Sequence, residues 1–187
     1  YYCPIGSTVR TDCPANSQAG VGSTQLSDCQ CNTGYHNQDT IVDEVLESRT
    51  CQACVPGKYQ DTANSDTCEN CLAGKYNTNS ASIAESDCSD CDATNPTYVD
   101  SLAGSNEFSD CFCVAGHFHD SDLSTVGDLC APCTAGTYRT SDMVFDGSAY
   151  SPESYLCKNC LEDTFNVFQA STSETACTVC TANSHTT

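Results

Sequence analysis

Tryptophan is absent, methionine occurs once, and Lys and Arg together number only 6 in a chain of 187 residues. Set against 25 Asp and Glu, these few cations leave a net charge of -19, which phosphate backbones and anionic membrane faces repel. The function classes excluded are nucleic-acid binding and polybasic membrane attachment. Long apolar runs are also missing, and no stretch approaches the roughly eighteen residues a membrane span needs, so this segment is not expected to insert into a bilayer. No secretory leader is visible either, and Tyr1 is expected to open a mature or excised segment. Catalytic groupings are lacking: Ser, His and Asp occur in no recognisable arrangement, so the chain is not expected to be an enzyme, and no cofactor is implied. With a mean hydropathy of -0.36, little apolar core is available.

What the chain has in excess is cysteine, 18 residues or nearly one in ten. Such a density belongs to secreted disulfide scaffolds and places the chain outside the cell or on its surface. Most cysteines come in close pairs. From Cys29 the spacings run C-x-C, C-x-x-C, C-x-x-C, C-x-x-C, and the same four recur in order from Cys111. Side chains support this register, since Ser27-Asp28-Cys29 aligns with Ser109-Asp110-Cys111 and Gly34 with Gly116. The chain therefore reads as the end of a preceding module over 1–12, one cysteine-rich repeat over 13–90, a second over 91–179, and the start of a third over 180–187.

Inside each repeat the second Cys of a pair is followed by two residues, a Gly, one residue and an aromatic. This unit is Cys54-Val-Pro-Gly57-Lys-Tyr59, Cys71-Leu-Ala-Gly74-Lys-Tyr76, Cys113-Val-Ala-Gly116-His-Phe118 and Cys133-Thr-Ala-Gly136-Thr-Tyr138. Cys31 has Gly34 with Tyr35 one place early, and Cys160 keeps Phe165 but has Asp163 at the Gly place. A Gly there allows a tight turn of positive φ. The aromatic is expected to lie over its own module's disulfide, which assigns a structural role to Tyr59, Tyr76, Phe118, Tyr138 and Phe165.

The unit C-x-x-G-x-Y, a loop, then C-x-x-C resembles the ephrin-receptor-like cysteine-rich repeat and the simple module of tumour-necrosis-factor-receptor repeats. It is also similar to the C-terminal loop of EGF-like domains and to cysteine-rich surface antigens of protists. The resemblance runs from Cys13 to Cys180. It implies that the Cys before each Gly pairs with the first Cys of the next close pair. Carried over, the pairs are Cys13 with Cys29, Cys31 with Cys51, Cys54 with Cys68, Cys71 with Cys88, Cys91 with Cys111, Cys113 with Cys130, Cys133 with Cys157, and Cys160 with Cys177. Cys3 and Cys180 stay outside this scheme as candidates for a disulfide to another segment or chain. The expected fold is small, disulfide-rich and irregular β: an elongated rod of tandem cysteine-rich modules, each touching mainly its sequence neighbours.

A rival reading is metal, because Cys51-x-x-Cys54 and Cys68-x-x-Cys71 have the spacing of a four-Cys zinc site. The unbroken run of close pairs and the C-x-C elements favour disulfides. His117 and His119, followed by Asp120 and Asp122, form another metal-capable cluster. A solvated Asp-rich loop is the preferred reading there, so no metal is assigned. Acidic residues also miss the spacing of a calcium loop.

Ser and Thr, 22 each, include no acceptable N-glycosylation sequon, so O-linked glycans are the sugars to expect on this glycoprotein candidate. Two segments are more apolar than solvated loops require. One is Ile41-Val42-Asp43-Glu44-Val45-Leu46; the other holds Met143, Val144, Phe145, Tyr150 and Tyr155, the preferred interface candidates because repeat one has no counterpart. The function expected is a structural or adhesive extracellular protein of a coat, appendage or filament, self-associating or bound to other extracellular proteins. The alternative is the ligand-binding ectodomain of a cysteine-rich receptor.

Overall fold

The computed structural model describes residues 1–93, 97–119, 130–140 and 156–180. Among these there is no α-helix, only 3-10 turns, and the strands are β1 (Ser17–Gln18), β2 (Gln30–Cys31), β3 (Tyr35–Val42), β4 (Val45–Ala53), β5 (Lys58–Tyr59), β6 (Glu69–Asn70), β7 (Lys75–Tyr76) and β8 (Ser89–Asp90). They continue as β9 (Val99–Asp100), β10 (Phe112–Cys113), β11 (His117–His119), β12 (Cys130–Pro132), β13 (Thr137–Tyr138), β14 (Lys158–Asn159), β15 (Thr164–Phe165) and β16 (Thr178–Val179). Each strand pairs only with its neighbour in sequence, giving eight two-stranded sheets. The architecture is small, disulfide-rich irregular β. Isolated ribbons of this size are marginal in water, so something other than sheet extension must hold them.

Sulfur holds them. Eight disulfides join Cys13–Cys29, Cys31–Cys51, Cys54–Cys68, Cys71–Cys88, Cys91–Cys111, Cys113–Cys130, Cys133–Cys157 and Cys160–Cys177, the pairs that the receptor-repeat resemblance implies. Closing a loop of about fifteen residues stabilises by roughly 3 kcal/mol in the chain-entropy account. The buried apolar residues are mostly these cysteines, together with Tyr59, Val99 and Tyr138. The zinc reading fails on this connectivity, because Cys51, Cys54, Cys68 and Cys71 belong to three different disulfides. Cys3 and Cys180 are exposed and unpaired.

By internal packing the chain divides into two compact units, Tyr1–Ser89 with Ala103–Phe108, and Asp90–Leu102 with Ser109–Thr187. Within the first, the segment Ala103–Phe108 places Phe108 edge-on to Tyr76, ring centroids 5.6 Å apart. The longest ribbon also lies there. β3 and β4 pair from Tyr35 with Ala53 out to Val42 with Val45, and Asp43 and Glu44 make the turn with positive φ. The apolar Ile41–Leu46 segment therefore forms a hairpin tip with Ile41, Val42 and Val45 exposed.

One ion pair anchors the middle of that hairpin. Arg49 Nε and Nη2 donate to the two carboxylate oxygens of Asp39 at 2.9 and 2.7 Å, while Nη1 donates to the Cys29 carbonyl at 2.7 Å and to Asn64 Oδ1 at 3.2 Å. The hydrogen bonds to Asp39 raise the affinity of the guanidinium for its proton. One side chain thus ties three successive disulfide loops. A lysine has no fork to do this, so Arg49→Lys is expected to destabilise the first unit by about 2 kcal/mol. Urea titration checks it; a midpoint equal to that of the parent chain would show that the network contributes nothing.

Closing cysteines are set by a second local device. The Asp28 carboxylate accepts from the backbone N–H groups of Thr24 at 2.7 Å and Gln25 at 3.1 Å, and Asp87 repeats this with Ile83 at 2.8 Å and Ala84 at 3.1 Å. Each acid immediately precedes a closing Cys. The donors, Thr24 first and then Gln25, hold the Asp28 carboxyl below the usual aspartate range. A folded-state pKa lowered in this way contributes stability that is present above the ordinary aspartate value and lost as pH falls through the folded value. The Thr24 and Gln25 amide shifts are therefore expected to titrate together, with a midpoint below that of a free aspartate. A midpoint at the ordinary value, read by NMR, would remove the cap.

Candidate functional site

The chemistry these residues support is assembly of one module on the next, and it resides in the turn after each opening Cys. Counting from that Cys, Gly stands three residues on, the aromatic five, and a polar residue six. Two further positions, ten and eleven residues on, reach back to the preceding module. Between the Cys31 and Cys54 modules four backbone hydrogen bonds form: Gly34 N–H to Gln60 carbonyl at 2.7 Å, Asn37 N–H to Ser65 carbonyl at 2.7 Å, Asn64 N–H to Cys31 carbonyl at 2.9 Å, and Cys54 N–H to Gly34 carbonyl at 2.9 Å. Between the Cys54 and Cys71 modules the equivalents are Gly57 to Asn77, Gln60 to Ser82, Ala81 to Cys54 and Cys71 to Gly57, at 2.7 to 3.0 Å. In the second unit the Cys133 and Cys160 modules repeat the set with Gly136 to Asn166, Arg139 to Ser171, Ala170 to Cys133 and Cys160 to Gly136. All are main-chain groups, so loops of different sequence and length join by one geometry.

The side chain six residues on secures the junction from inside. Gln60 and Asn77 are both 2% exposed. Asn77 Nδ2 donates to Ser82 Oγ at 2.7 Å while its Oδ1 accepts from the Asn79 N–H at 3.0 Å. Asn166 does the same with Ser171 Oγ at 2.6 Å and the Phe168 N–H at 2.9 Å. Gln60 donates to the Thr67 carbonyl and accepts from the Thr62 N–H, and Arg139 reaches the carbonyl of His117. Buried amides satisfied at both ends are stable, whereas one left unpaired is costly. These residues were not legible as site residues before the fold was known; the available signal was a polar residue directly after every aromatic.

For Tyr59 the expected packing requires a correction. Tyr59, 9% exposed, clusters with Cys71 and Cys88, the disulfide of the following module and not its own. Its hydroxyl donates to Glu69 Oε2 at 3.0 Å. Tyr138 is 8% exposed, Tyr76 and Phe118 are half-buried, and Phe165 is exposed at 47%. The physical reason is local to β5: the Tyr59 backbone bridges to Ser82 inside the Cys71–Cys88 loop, which sets its side chain against that loop's disulfide.

Contacts also reach beyond nearest neighbours. A Cβ at Gly34 would collide with the carbonyl oxygen of Ala81, and one at Gly57 with that of Gly104, each two modules further on. Only a residue without a side chain leaves room for that backbone.

The solvated-loop reading of the histidines does not hold for His117. His117 is not in a solvated loop: it is buried, stacked on Tyr98 with ring centroids 4.3 Å apart. His119 pairs with Cys130 in β11–β12, while Asp120 and Asp122 lie outside the described residues. Met143, Val144, Phe145, Tyr150 and Tyr155 also lie outside them. Among the described residues no group of three metal-ligating side chains assembles, and no helix is long and apolar enough to cross a membrane.

The modules so defined have a recognised counterpart. Residues 44–88 match the family described as tyrosine-protein kinase ephrin type A/B receptor-like. The match spans the end of the Cys31 loop, the Cys54 loop and the Cys71 loop, hence one complete junction with its Tyr59 contact. A comparison with curated proteins gives no significant match. An ephrin-receptor-like segment and eight disulfides mark the chain as an extracellular cysteine-rich module protein.

Proposed function

We propose that the chain is a structural or adhesive repeat protein of a cell-surface coat, appendage or filament, acting as a scaffold and not as an enzyme. The observation supporting this reading is the junction: four main-chain hydrogen bonds recur between modules whose loops differ in length and sequence. Such a joint lets modules be added without redesign, which suits a protein whose work is to extend and display. The exposed hairpin tip of Ile41, Val42 and Val45 offers a place for self-association or for another extracellular protein. Ser and Thr in the loops are the proposed carriers of O-linked glycans.

Labelling intact cells of the source with an antibody to the folded chain tests this. Surface fibres or a coat that lose the label after reduction are the expected result; label seen only after permeabilisation would overturn it. The receptor-ectodomain reading is favoured by the match at residues 44–88 alone. It would gain if the natural material co-purified with membranes as a single species bound to a soluble ligand.

A further inference from the structure

At the last described module, which Cys160 opens, only part of the junction is present among the described residues. One of its four bonds is present: Cys180 N–H donates to the Asp163 carbonyl at 2.8 Å, as Cys160 does to Gly136 and Cys71 to Gly57. Asp163 takes the Gly place with φ of 63°, so the turn is formed without Gly. By the geometry of the earlier junctions, the Asp163 and Asn166 N–H groups should meet two carbonyls, and the Cys160 carbonyl should accept an N–H. None of the three has such a partner among the described residues.

The apolar side of this edge is unfinished in the same way. Tyr59, equivalent to Phe165, lies under the next module's disulfide at 9% exposure, whereas Phe165 is 47% exposed. Gly136 gives an independent sign. A Cβ at Gly34, Gly57 or Gly116 would meet a backbone carbonyl two modules away, yet one at Gly136 would meet nothing within 4 Å. By the geometry of Gly34, Gly57 and Gly116, that open space is where the second module after Cys133 would place its backbone. Among the described residues, the polar groups, the aromatic and the glycine all lack the same partner.

We infer that the face formed by Gly136, the Cys160 carbonyl, Asp163, Phe165 and Asn166 receives a further cysteine-rich module of this type, opened by Cys180. The inference continues the junction already built three times in the chain. It fixes the chemistry of the occupant. Its loop supplies a closing cysteine whose thiol forms a disulfide with the Cys180 thiol, the two hydrogens and two electrons passing to an oxidant of the disulfide class, as in thiol–disulfide exchange. That disulfide covers Phe165. Two carbonyls of the module accept from Asp163 and Asn166, and one of its N–H groups donates to Cys160.

This deepens the scaffold reading and rests on it for its purpose, but the test is separate, because it reads amides at one edge and not the chain's place on a cell. Residues 181–187 are replaced by Leu72–Asp90 of the same chain, so that Cys180 opens a copy of a module known to close. In the oxidised product Cys180 is expected to resist alkylation, and the Asp163 and Asn166 amides to exchange at least about tenfold more slowly than in the parent. The Phe165→Ala change in the extended chain should return the appended module's exchange rates to those of a loose loop while the parent modules keep theirs. A closed Cys180 disulfide with unchanged Asp163 and Asn166 exchange would overturn the inference, as would an appended module that stays reduced. Concentration-dependent protection of the same amides in the parent chain would overturn it in favour of a second copy.

Discussion

Gly57→Ala is expected to destabilise the first unit by about 2–4 kcal/mol, far more than the same change at Gly136. Both residues have positive φ, 83° and 84°, so each substitution carries the left-handed penalty of about 1–2 kcal/mol. At Gly57 the new methyl also meets the Gly104 carbonyl, with the Gly104 carbonyl carbon at 2.9 Å and Ser105 O at 3.1 Å. Backbone cannot rotate away as a side chain does, so the Ala103–Phe108 segment must lift. The checking measurement is amide exchange: Gly104 N–H, bonded to the Cys71 carbonyl at 2.9 Å, and Asn77 N–H, bonded to Ser105 at 3.1 Å, should lose protection in Gly57→Ala. Equal effects at Gly57 and Gly136 would mean that only φ matters and that the contact between second neighbours carries no weight.

Removing the Cys71–Cys88 disulfide by the paired change Cys71→Ser and Cys88→Ser is expected to cost roughly 3 kcal/mol from loop closure alone. A further loss comes from Tyr59, which has these two cysteines as its buried partners. The damage should therefore appear in the preceding module as well as in the one that lost its bond, with the Gln60 N–H to Ser82 hydrogen bond opening early. Removing the Cys54–Cys68 bond, which belongs to Tyr59's own module, should leave Tyr59 more protected than this. Tyrosine fluorescence and local exchange distinguish the two variants. If Tyr59 were freed only by the Cys54–Cys68 change, the aromatic would sit on its own disulfide and the junction described above would be misassigned.

Much of this architecture is visible in the residue order. Close pairs of cysteine, the Gly three places after an opening Cys and the doubled spacing pattern identify the modules, because those features are local and covalent. The partner of each aromatic is not local. Spacing places Tyr59 near both the Cys54–Cys68 and the Cys71–Cys88 bonds, and only the pairing of its backbone with Ser82 chooses the second. The junction itself is hidden for a different reason: its bonds are main-chain to main-chain and carry no residue preference beyond Gly at the point of closest approach. Gln60, Asn77, Arg139 and Asn166 share a position but carry three different side chains, so their common burial has no single-letter signature. The β3–β4 hairpin escaped notice because Asp43 and Glu44, not a Gly, take the positive φ of its turn.

Residue-resolved hydrogen exchange on the oxidised chain tests the central claim most directly. The N–H groups of Gly34, Asn37, Asn64, Gly57, Gln60, Ala81, Gly136, Arg139 and Ala170 all cross between modules and should form one protected class. Those of Asp163 and Asn166, at equivalent positions but without such a partner among the described residues, should exchange as open loops do. A chain in which the crossing amides exchange as fast as these two would be a string of independent disulfide loops, and the repeated junction would not exist in solution.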